Sequence, residues 1–113
     1  MGGIGGNVTA QVVRSVKGKN AQGIPLEKDT APIMEICGWL DYQDGKAAHQ
    51  TYEAKLQDTT HVFLSDYDEA FAKLSASNLF LLAGGRRYEV LLIDDPMEMH
   101  EHLETFLKHV GDA

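Results

Sequence analysis

The sequence contains few cysteines, which cross-link a chain, and few prolines, which interrupt helices and strands: one cysteine and three prolines among 113 residues. A single cysteine, Cys37, cannot form an internal disulfide, which excludes the disulfide-stabilised class of small secreted domains. The first residues also lack the cationic and apolar segments of a secretion signal. These absences predict a protein that works in a reducing cytoplasm.

Basic residues are scarce as well. The chain has 10 Lys and Arg against 17 Asp and Glu, a net charge of −7 at pH 7. Tight binding to a phosphate backbone requires a clustered basic surface, and the densest basic spot is the pair Arg86 and Arg87. The composition therefore argues against a protein that grips DNA, although DNA slides past an acidic surface without sticking to it.

Long hydrophobic runs are also missing. The longest, Leu79–Ala83 and residues 90–93, are far shorter than the ~20 residues of a membrane-spanning helix, so no membrane partner is predicted. A chain of 113 residues that is 43% hydrophobic can remove about two-thirds of its unfolded surface from water. Residues 1–113 are therefore predicted to form a single domain.

The strongest local pattern that is present predicts a β-hairpin. Two apolar runs, Leu79–Ala83 and residues 86–93, are joined by a two-residue Gly-Gly loop, which is typical of tight hairpin turns. Apolar residues occupy both faces of the second run, since Leu91 and Ile93 alternate with Val90 and its neighbours. That strand is predicted to be central, or to lie beneath a partner.

Alternating apolar residues, or β-branched and aromatic content, predict strands at residues 8–17, 33–42 and 59–67. Residues 18–20 are predicted to form a turn, which makes residues 23–29 a return strand. Pro25 predicts an edge position for this return strand, because proline cannot donate to a strand ladder. Residues 68–77 have the spacing of about one helical turn. The glycine-rich residues 1–6 are predicted to be a flexible leader, and the polar residues 43–57 a long loop.

The C-terminal pattern is ambiguous. Leu103, Phe106, Leu107 and Val110 recur at the spacing of a helix, and Gly111 resembles a helix stop. The elements before them are strands, however, and a barrel-like sheet needs a further strand to cover its open edge. The residues alone leave both readings open.

Three groups of residues invite a catalytic interpretation. His100 and His102, with Asp94 or Asp95, resemble part of a metal site, but no third ligand stands at a fixed offset and a solvated acidic loop is the favoured interpretation. Asp94 and Asp95 point to opposite faces of a strand, which favours turn and cap roles over paired acid–base chemistry. Cys37 is expected to be a buried small hydrophobic residue. No catalytic, cofactor-binding or metal-binding residue is predicted.

Aromatic side chains at strand spacing favour a core over a ligand cage, with some faces left for a subunit interface. The residues concerned are Trp39, Phe63, Tyr67, Phe80 and Tyr88.

The order of these signals resembles that of the head-tail joining (head-closure) proteins of tailed bacteriophages. The resemblance covers nearly the whole chain, beginning with an amphipathic strand, a glycine-bearing turn and a long strand over residues 8–45. The segments that carry it farther on are Thr60-His61-Val62-Phe63-Leu64 with Tyr67, Gly85-Arg86-Arg87-Tyr88-Glu89-Val90, Ile93-Asp94-Asp95-Pro96 and His102-Leu103-Glu104.

The resemblance implies an all-β, mainly antiparallel domain, a small barrel or sandwich of about six strands with one long loop and at most a short helix. It implies that the C-terminal stretch, residues 103–110, is a strand. The implied function is structural: a ring subunit, without cofactor or catalysis, that joins the portal to the tail after DNA packaging while DNA passes nearby without sequence-specific binding. The implied location is the host bacterial cytoplasm during assembly and then the virion neck.

The implied partners are the portal or adaptor ring, the tail or tail-completion proteins, and further copies of the chain. The long loop would face the channel or a neighbouring ring. The expected contact residues are Arg86, Arg87, Asp44, Lys46, His49, Tyr52 and Lys55.

Two other classes of function stay open from the sequence. One is a tail terminator or generic β-barrel adaptor that binds a peptide by strand addition. The other is a small metal-dependent hydrolase that uses His100, His102 and an aspartate.

Overall fold

A computed structural model describes residues 6–42 and 58–113 of the chain. The strands are β1 (Val8–Lys19), β2 (Pro25–Asp29), β3 (Met34–Tyr42), β4 (His61–Asp66), β5 (Leu79–Ala83), β6 (Arg86–Asp94) and β7 (His102–Asp112). A short helix, α1 (Glu69–Ala72), precedes β5, and a single 3-10 turn (Pro96–Glu98) lies between β6 and β7.

The strands form one antiparallel sheet that closes on itself. Their order is β2-β1-β3-β4-β7-β6-β5, and β1 also pairs with β5. Six strands, all except β2, therefore make a closed barrel, which leaves no open edge among them. The predicted fold class, an all-β and mainly antiparallel domain of about six barrel strands with one short helix, is confirmed for the described residues.

The barrel core is built from the inward-facing residues of each strand. Along β1, Ala10 and Val12 are buried while Thr9 and Gln11 are exposed, as expected for a strand with one face inside. The predicted core aromatics divide in the structure: Phe63 and Tyr88 are buried as predicted, whereas Trp39 points outward and is 42% exposed. The other large members of the core are Ile36, Phe71, Leu79, Leu81, Val90, Leu103 and Leu107.

The predicted hairpin of β5 and β6 is confirmed. Gly84 and Gly85 have φ angles of 58° and 76°, the left-handed conformation that a type I′ turn requires at both central positions. β6 lies between β5 and β7, which confirms the predicted central position. A register shift between Val90 and Leu92 marks a bulge, and Leu91 packs with other apolar residues in a second cluster on the outer face.

The C-terminal stretch is a strand, β7, as the family resemblance implied and against its helical spacing. Leu103, Thr105 and Leu107 alternate along the inner face and are fully buried, whereas Phe106 belongs to the outer cluster. The helical spacing arose because a polar residue, Thr105, occupies a core position and an apolar residue, Phe106, lies on the opposite face.

The end of β1 leaves the barrel and forms a second hairpin with β2. Residues 15–19 of β1 pair with residues 25–29 of β2, and every residue of β2 is exposed. β2 is the end strand of the order, which confirms the edge position predicted from Pro25. None of the helices among the described residues is long and apolar enough to cross a membrane.

Candidate interaction surface

Residues 16–28 form a projecting hairpin. Ser15 N donates to the carbonyl oxygen of Asn78 at 2.9 Å, which ties β1 to the start of β5, and beyond Ser15 the strand is paired with β2. Both strands of the projecting hairpin are solvent-exposed from Val16 onward. The chain therefore extends a two-stranded arm from one end of a closed barrel.

The tip of this arm has a defined turn. The side-chain oxygen of Asn20 accepts hydrogen bonds from the backbone N–H groups of Gln22 and Ile24, both at 2.9 Å. Asn20 N donates to the Ile24 carbonyl at 3.0 Å, and Gly23 supplies the left-handed residue with φ of 81°. Asparagine and glycine are the residues expected for such a turn, so the tip has a fixed shape.

Arg87 fixes the base of the arm to the barrel. Its two terminal nitrogens contact the two carboxylate oxygens of Asp29 at 2.5 and 2.7 Å, and its guanidinium lies 4.0 Å from the centre of the Phe80 ring. Hydrogen bonding to Arg87 lowers the pKa of Asp29, and the same bond raises the pKa of Arg87. A bidentate pair stacked on an aromatic ring has a well-defined geometry, so the arm is oriented relative to the barrel wall.

Arg14 and Thr30 make a second connection at the base. The Arg14 side chain donates to the carbonyl oxygen of Ser77 at 2.5 Å and to that of Ser75 at 3.3 Å. The Thr30 hydroxyl accepts from Arg14 N at 3.1 Å, and Thr30 N donates to the Arg14 carbonyl at 2.8 Å. The arm is therefore held on both sides of β1.

The arm carries exposed apolar side chains. Val16 and Leu26 are 45% and 39% exposed, and Ile24 at the turn is exposed as well. Val16 lies opposite Lys28, and Gly18 lies opposite Leu26. Directly opposite residues of an antiparallel pair share a face, so Val16, Leu26 and Lys28 lie together.

The turn between β6 and β7 is the second distinctive surface. Its conformation is held by Asp95, whose carboxylate accepts from His100 N at 3.0 Å and contacts His100 Nδ1 at 2.5 Å. Met97, Glu98 and His100 all have positive φ angles near 55°, which is unusual for residues other than glycine. Met97 is 88% exposed at the top of this turn.

The carboxylates around this turn influence one another. Burial raises the pKa of Asp94, and the negative charges of Glu104 and Asp95 raise it further, while His102 lowers it. His102 Nε2 lies 3.1 Å from a Glu104 carboxylate oxygen. The turn is therefore a strongly acidic surface.

The opposite end of the barrel, at the Gly84–Gly85 turn, contains a cluster of rings. The His61 ring centre lies 5.0 Å from that of Tyr88, 5.7 Å from that of Tyr42 and 6.2 Å from that of His109. Burial, His109 and Arg86 lower the pKa of His61, which favours the neutral form of this imidazole. A cavity of about 240 Å³ adjoins the cluster, lined by Val8, Leu40, Ala83, Gly84, Arg86 and Tyr88.

The structure separates the two arginines that were predicted to contact partners. Arg86 is exposed and lines the cavity at the Gly84–Gly85 end, whereas Arg87 is half-buried and bound to Asp29 within the chain. Partner contacts of either residue stay a prediction. The other predicted contact residues, with the long loop that carries them, lie outside the described residues: Asp44, Lys46, His49, Tyr52 and Lys55.

The residues with a catalytic interpretation do not converge. His100 and His102 contact different carboxylates, those of Asp95 and Glu104. Within residues 6–42 and 58–113, no three His, Cys, Asp or Glu side chains are grouped so that they could hold a metal ion. The turn role predicted for Asp95 is confirmed by its bonds to His100.

The prediction for Cys37 was wrong. Cys37 is exposed, and its sulfur lies 3.3 Å from the Thr9 hydroxyl. The physical reason is strand alternation, because its neighbours Ile36 and Gly38 are the residues of β3 that face the core.

Sequence reasoning missed the exposure of Val16, Leu26 and Met97. The turn residues after Lys17 and Pro25 predict a hairpin with a free edge, but no local pattern shows that this hairpin projects from the barrel. No comparable sequence signal marks Met97, because its exposure depends on the backbone conformation of the turn.

Comparison with known proteins gives no match from which the role of these surfaces could be inferred. No protein-family model matches the chain, and no curated protein matches its sequence.

Proposed function

We propose that this chain is a structural assembly subunit, a head-closure ring protein that joins a phage or prophage portal to the tail. The single observation that carries the proposal is a closed, filled barrel from which a fixed arm with exposed apolar side chains projects. The order of sequence segments that resembles the head-closure family supports the same function.

The barrel supports this function as a rigid body. A six-stranded barrel is narrow enough to be filled by its own side chains, and the inward residues here, such as Phe63, Leu81 and Leu103, are fully buried or nearly so. Its outer surface and its two ends are therefore the parts that partners contact. A subunit of a connector requires such a body, because the ring must keep its shape under the pressure of packaged DNA.

The arm supports the proposal as a contact element. Val16, Ile24 and Leu26 present apolar surface to solvent on a hairpin whose base is fixed by Arg87 and Arg14. Exposed apolar side chains that are grouped and rimmed by charge are typical of protein–protein interaction sites. A pre-oriented arm also loses little entropy when it binds.

Binding to the portal tests the proposal. The purified chain is mixed with the portal ring encoded in the same gene cluster, and the mixture is analysed by sedimentation velocity and negative-stain electron microscopy. We expect the chain to co-sediment with the ring and to add density at one end of it. Particles that lack the gene are expected to contain unstable, tail-less heads.

The control is a chain that has lost the contact surface but keeps the barrel. The double variant V16D/L26D alters two exposed side chains and is expected to fold as the wild type does, as measured by circular dichroism. Wild-type protein that fails to bind the portal, or heads that join tails normally without this gene, would contradict the proposed function.

A further inference from the structure

We propose that the projecting hairpin of one copy of this chain docks on the β6–β7 turn of a second copy. The inference deepens the proposed function and rests on it in one respect, that copies lie side by side in a ring. It identifies the two surfaces that meet, neither of which was among the predicted contact residues.

The hairpin surface combines apolar and basic groups. Val16 and Leu26 share a face with Lys28, and Ile24 lies at the tip. Residues 16–28 contain three lysines, at positions 17, 19 and 28, and one acidic residue, Glu27. Lys28 lies on the apolar face, whereas Lys17, Lys19 and Glu27 lie on the opposite face of the arm. Asp29 at the base is already neutralised by Arg87. The arm is therefore a positive region of a chain whose net charge is −7.

The turn surface has the complementary character. Residues 94–104 contain five acidic side chains, at positions 94, 95, 98, 101 and 104, and no lysine or arginine. Met97 and Met99 project from the same segment and are 88% and 58% exposed. Methionine side chains adapt to irregular apolar surfaces, and opposite charges around an apolar contact favour one orientation of the partners. A basic, apolar arm thus meets an acidic, apolar turn.

The barrel topology places these surfaces where a ring needs them. Arg14 of β1 pairs with Leu79, and Asp94 pairs with Glu104, so β1 leaves the barrel at the same end at which β6 turns into β7. Around the closed barrel the order is β1-β3-β4-β7-β6-β5, which puts the β6–β7 turn across the barrel from β1. The arm and the turn therefore lie on opposite sides of one end. Contact between two different surfaces is head-to-tail, and it closes into a ring or continues as a filament.

Strand addition to the arm is less favoured than docking of its apolar face. The free edge belongs to β2, which is five residues long and begins at Pro25. Its other residues include Glu27, Lys28 and Asp29. Short length, proline and charged side chains are the features by which proteins protect an edge from pairing. The exposed side chains, and not the backbone edge, therefore make the contact.

A charge exchange tests the proposal with the chain alone. One variant, K19E/K28E, makes the arm acidic; Lys17 is kept because it lies opposite Glu27. The other variant, E98K/E101K, reduces the net charge of residues 94–104 from −5 to −1. Each variant by itself is expected to associate at least about tenfold more weakly than the wild type, because the arm then has the sign of the turn, or the turn has lost most of its negative charge. An equimolar mixture of the two is expected to regain association, since the unchanged basic arm of the second variant meets the unchanged acidic turn of the first.

The combined variant K19E/K28E/E98K/E101K has the net charge of the wild type and is expected to associate more weakly than the wild type, because an arm of net charge −2 then meets a turn of net charge −1. It therefore separates the arrangement of the charges from their total. Sedimentation velocity over a range of protein concentrations measures the association of the wild type, of each variant and of the mixture. Circular dichroism verifies that each variant is folded. The matched control is E69K/K73E, which exchanges an exposed ion pair of α1 and is expected to leave association unchanged.

Three results would overturn the proposal: a wild-type chain that stays monomeric at its highest soluble concentration, single-surface variants that associate as the wild type does, or a mixture that regains nothing. The portal experiment and this one fail separately. A chain that self-associates through these surfaces but ignores the portal retains this inference and loses the head-closure function.

Discussion

β1 contains two regions that share an extended backbone and an alternating sequence but differ in their surroundings. Over residues 8–13 it is part of the barrel wall, and Ala10, Val12 and Val13 are buried. From Val16 onward it has a strand partner on one edge and solvent on both faces. The same alternating sequence therefore produces core in one half and contact surface in the other. The difference lies in what covers the strand, namely neighbouring strands in the first half and no other described element in the second.

The largest expected effect is the difference in the free energy of unfolding between a substitution in the barrel core and one on the arm. Phe63 is fully buried in the core, so Phe63→Ala is expected to lower the free energy of unfolding by about 3–5 kcal/mol. Ile24 on the arm is 56% exposed, and Ile24→Ala is expected to change it by less than about 0.5 kcal/mol. Urea unfolding of the two variants measures both values. Equal losses would show that the arm is part of the cooperative core.

Two glycines sharpen the same comparison. A Cβ added at Gly38 of the barrel would lie 2.8 Å from Cζ of Phe63 and against the Leu64 carbonyl, whereas one added at Gly18 of the arm would meet nothing within 4 Å. We expect Gly38→Ala to cost about 1–3 kcal/mol because the core has no space for it. Gly18→Ala is expected to be neutral or to stabilise by up to about 1 kcal/mol. Thermal unfolding measures the stabilities of the two variants, and we expect Gly38→Ala to be the less stable one. A Gly38→Ala variant as stable as Gly18→Ala would contradict this prediction.

Replacing two threonines by valine is expected to change the free energy of unfolding in opposite directions. The Thr105 hydroxyl is buried in the barrel and has no hydrogen-bond partner among the described residues. Thr105→Val removes a desolvated hydroxyl and is expected to stabilise by about 1 kcal/mol. The Thr30 hydroxyl at the base of the arm accepts from Arg14 N at 3.1 Å, so Thr30→Val is expected to destabilise by about 1 kcal/mol. Chemical unfolding measures both signs, and a destabilised Thr105→Val would indicate that the barrel interior satisfies this hydroxyl.

Local patterns predicted the elements that neighbouring residues determine. Gly84 and Gly85 predict a tight turn because few other residues adopt their backbone conformation, and Pro25 predicts an edge because it has no N–H group. Both predictions required no knowledge of distant strands. The identification of β7 as a strand did require knowledge of distant strands. β7 pairs with β4 and β6, and this pairing places the polar residue Thr105 on the inner face of the barrel.

Exposure could not be predicted because distant parts of the chain decide it. The spacing of Val12 and Val16 is that of a single buried face, and the sequence does not show that the barrel ends between them. The adjacent Arg86 and Arg87 likewise look equivalent, yet successive residues of a strand point to opposite sides. Only the three-dimensional arrangement brings Asp29 to the Arg87 side chain and places the Arg86 side chain at the cavity beside the Gly84–Gly85 turn. The arm was therefore predictable as a hairpin, and its role as a surface was not.

The smallest expected effect concerns the ion pair that joins the two regions. The pKa of Asp29 is lowered in the folded chain, chiefly by its hydrogen bond to Arg87. The stabilisation is therefore present above the unfolded pKa of about 3.9 and is lost as the pH falls through the lower, folded value. Asp29→Asn is expected to cost at most about 1 kcal/mol, because the pair is partly exposed.

The loss should be local, so the measurement is amide hydrogen exchange of residues 15–29 relative to the barrel strands, with wild type and variant compared at each pH. We expect faster exchange in the arm of the variant near pH 7, and convergence of the two proteins only as the pH falls through the lowered pKa of Asp29 in the folded chain. Glu69→Gln, which removes an exposed ion pair with Lys73, is the control and should leave the arm unchanged. Exchange that is identical in wild type and Asp29→Asn at neutral pH would mean that Arg14 and Thr30 alone fix the arm to the barrel.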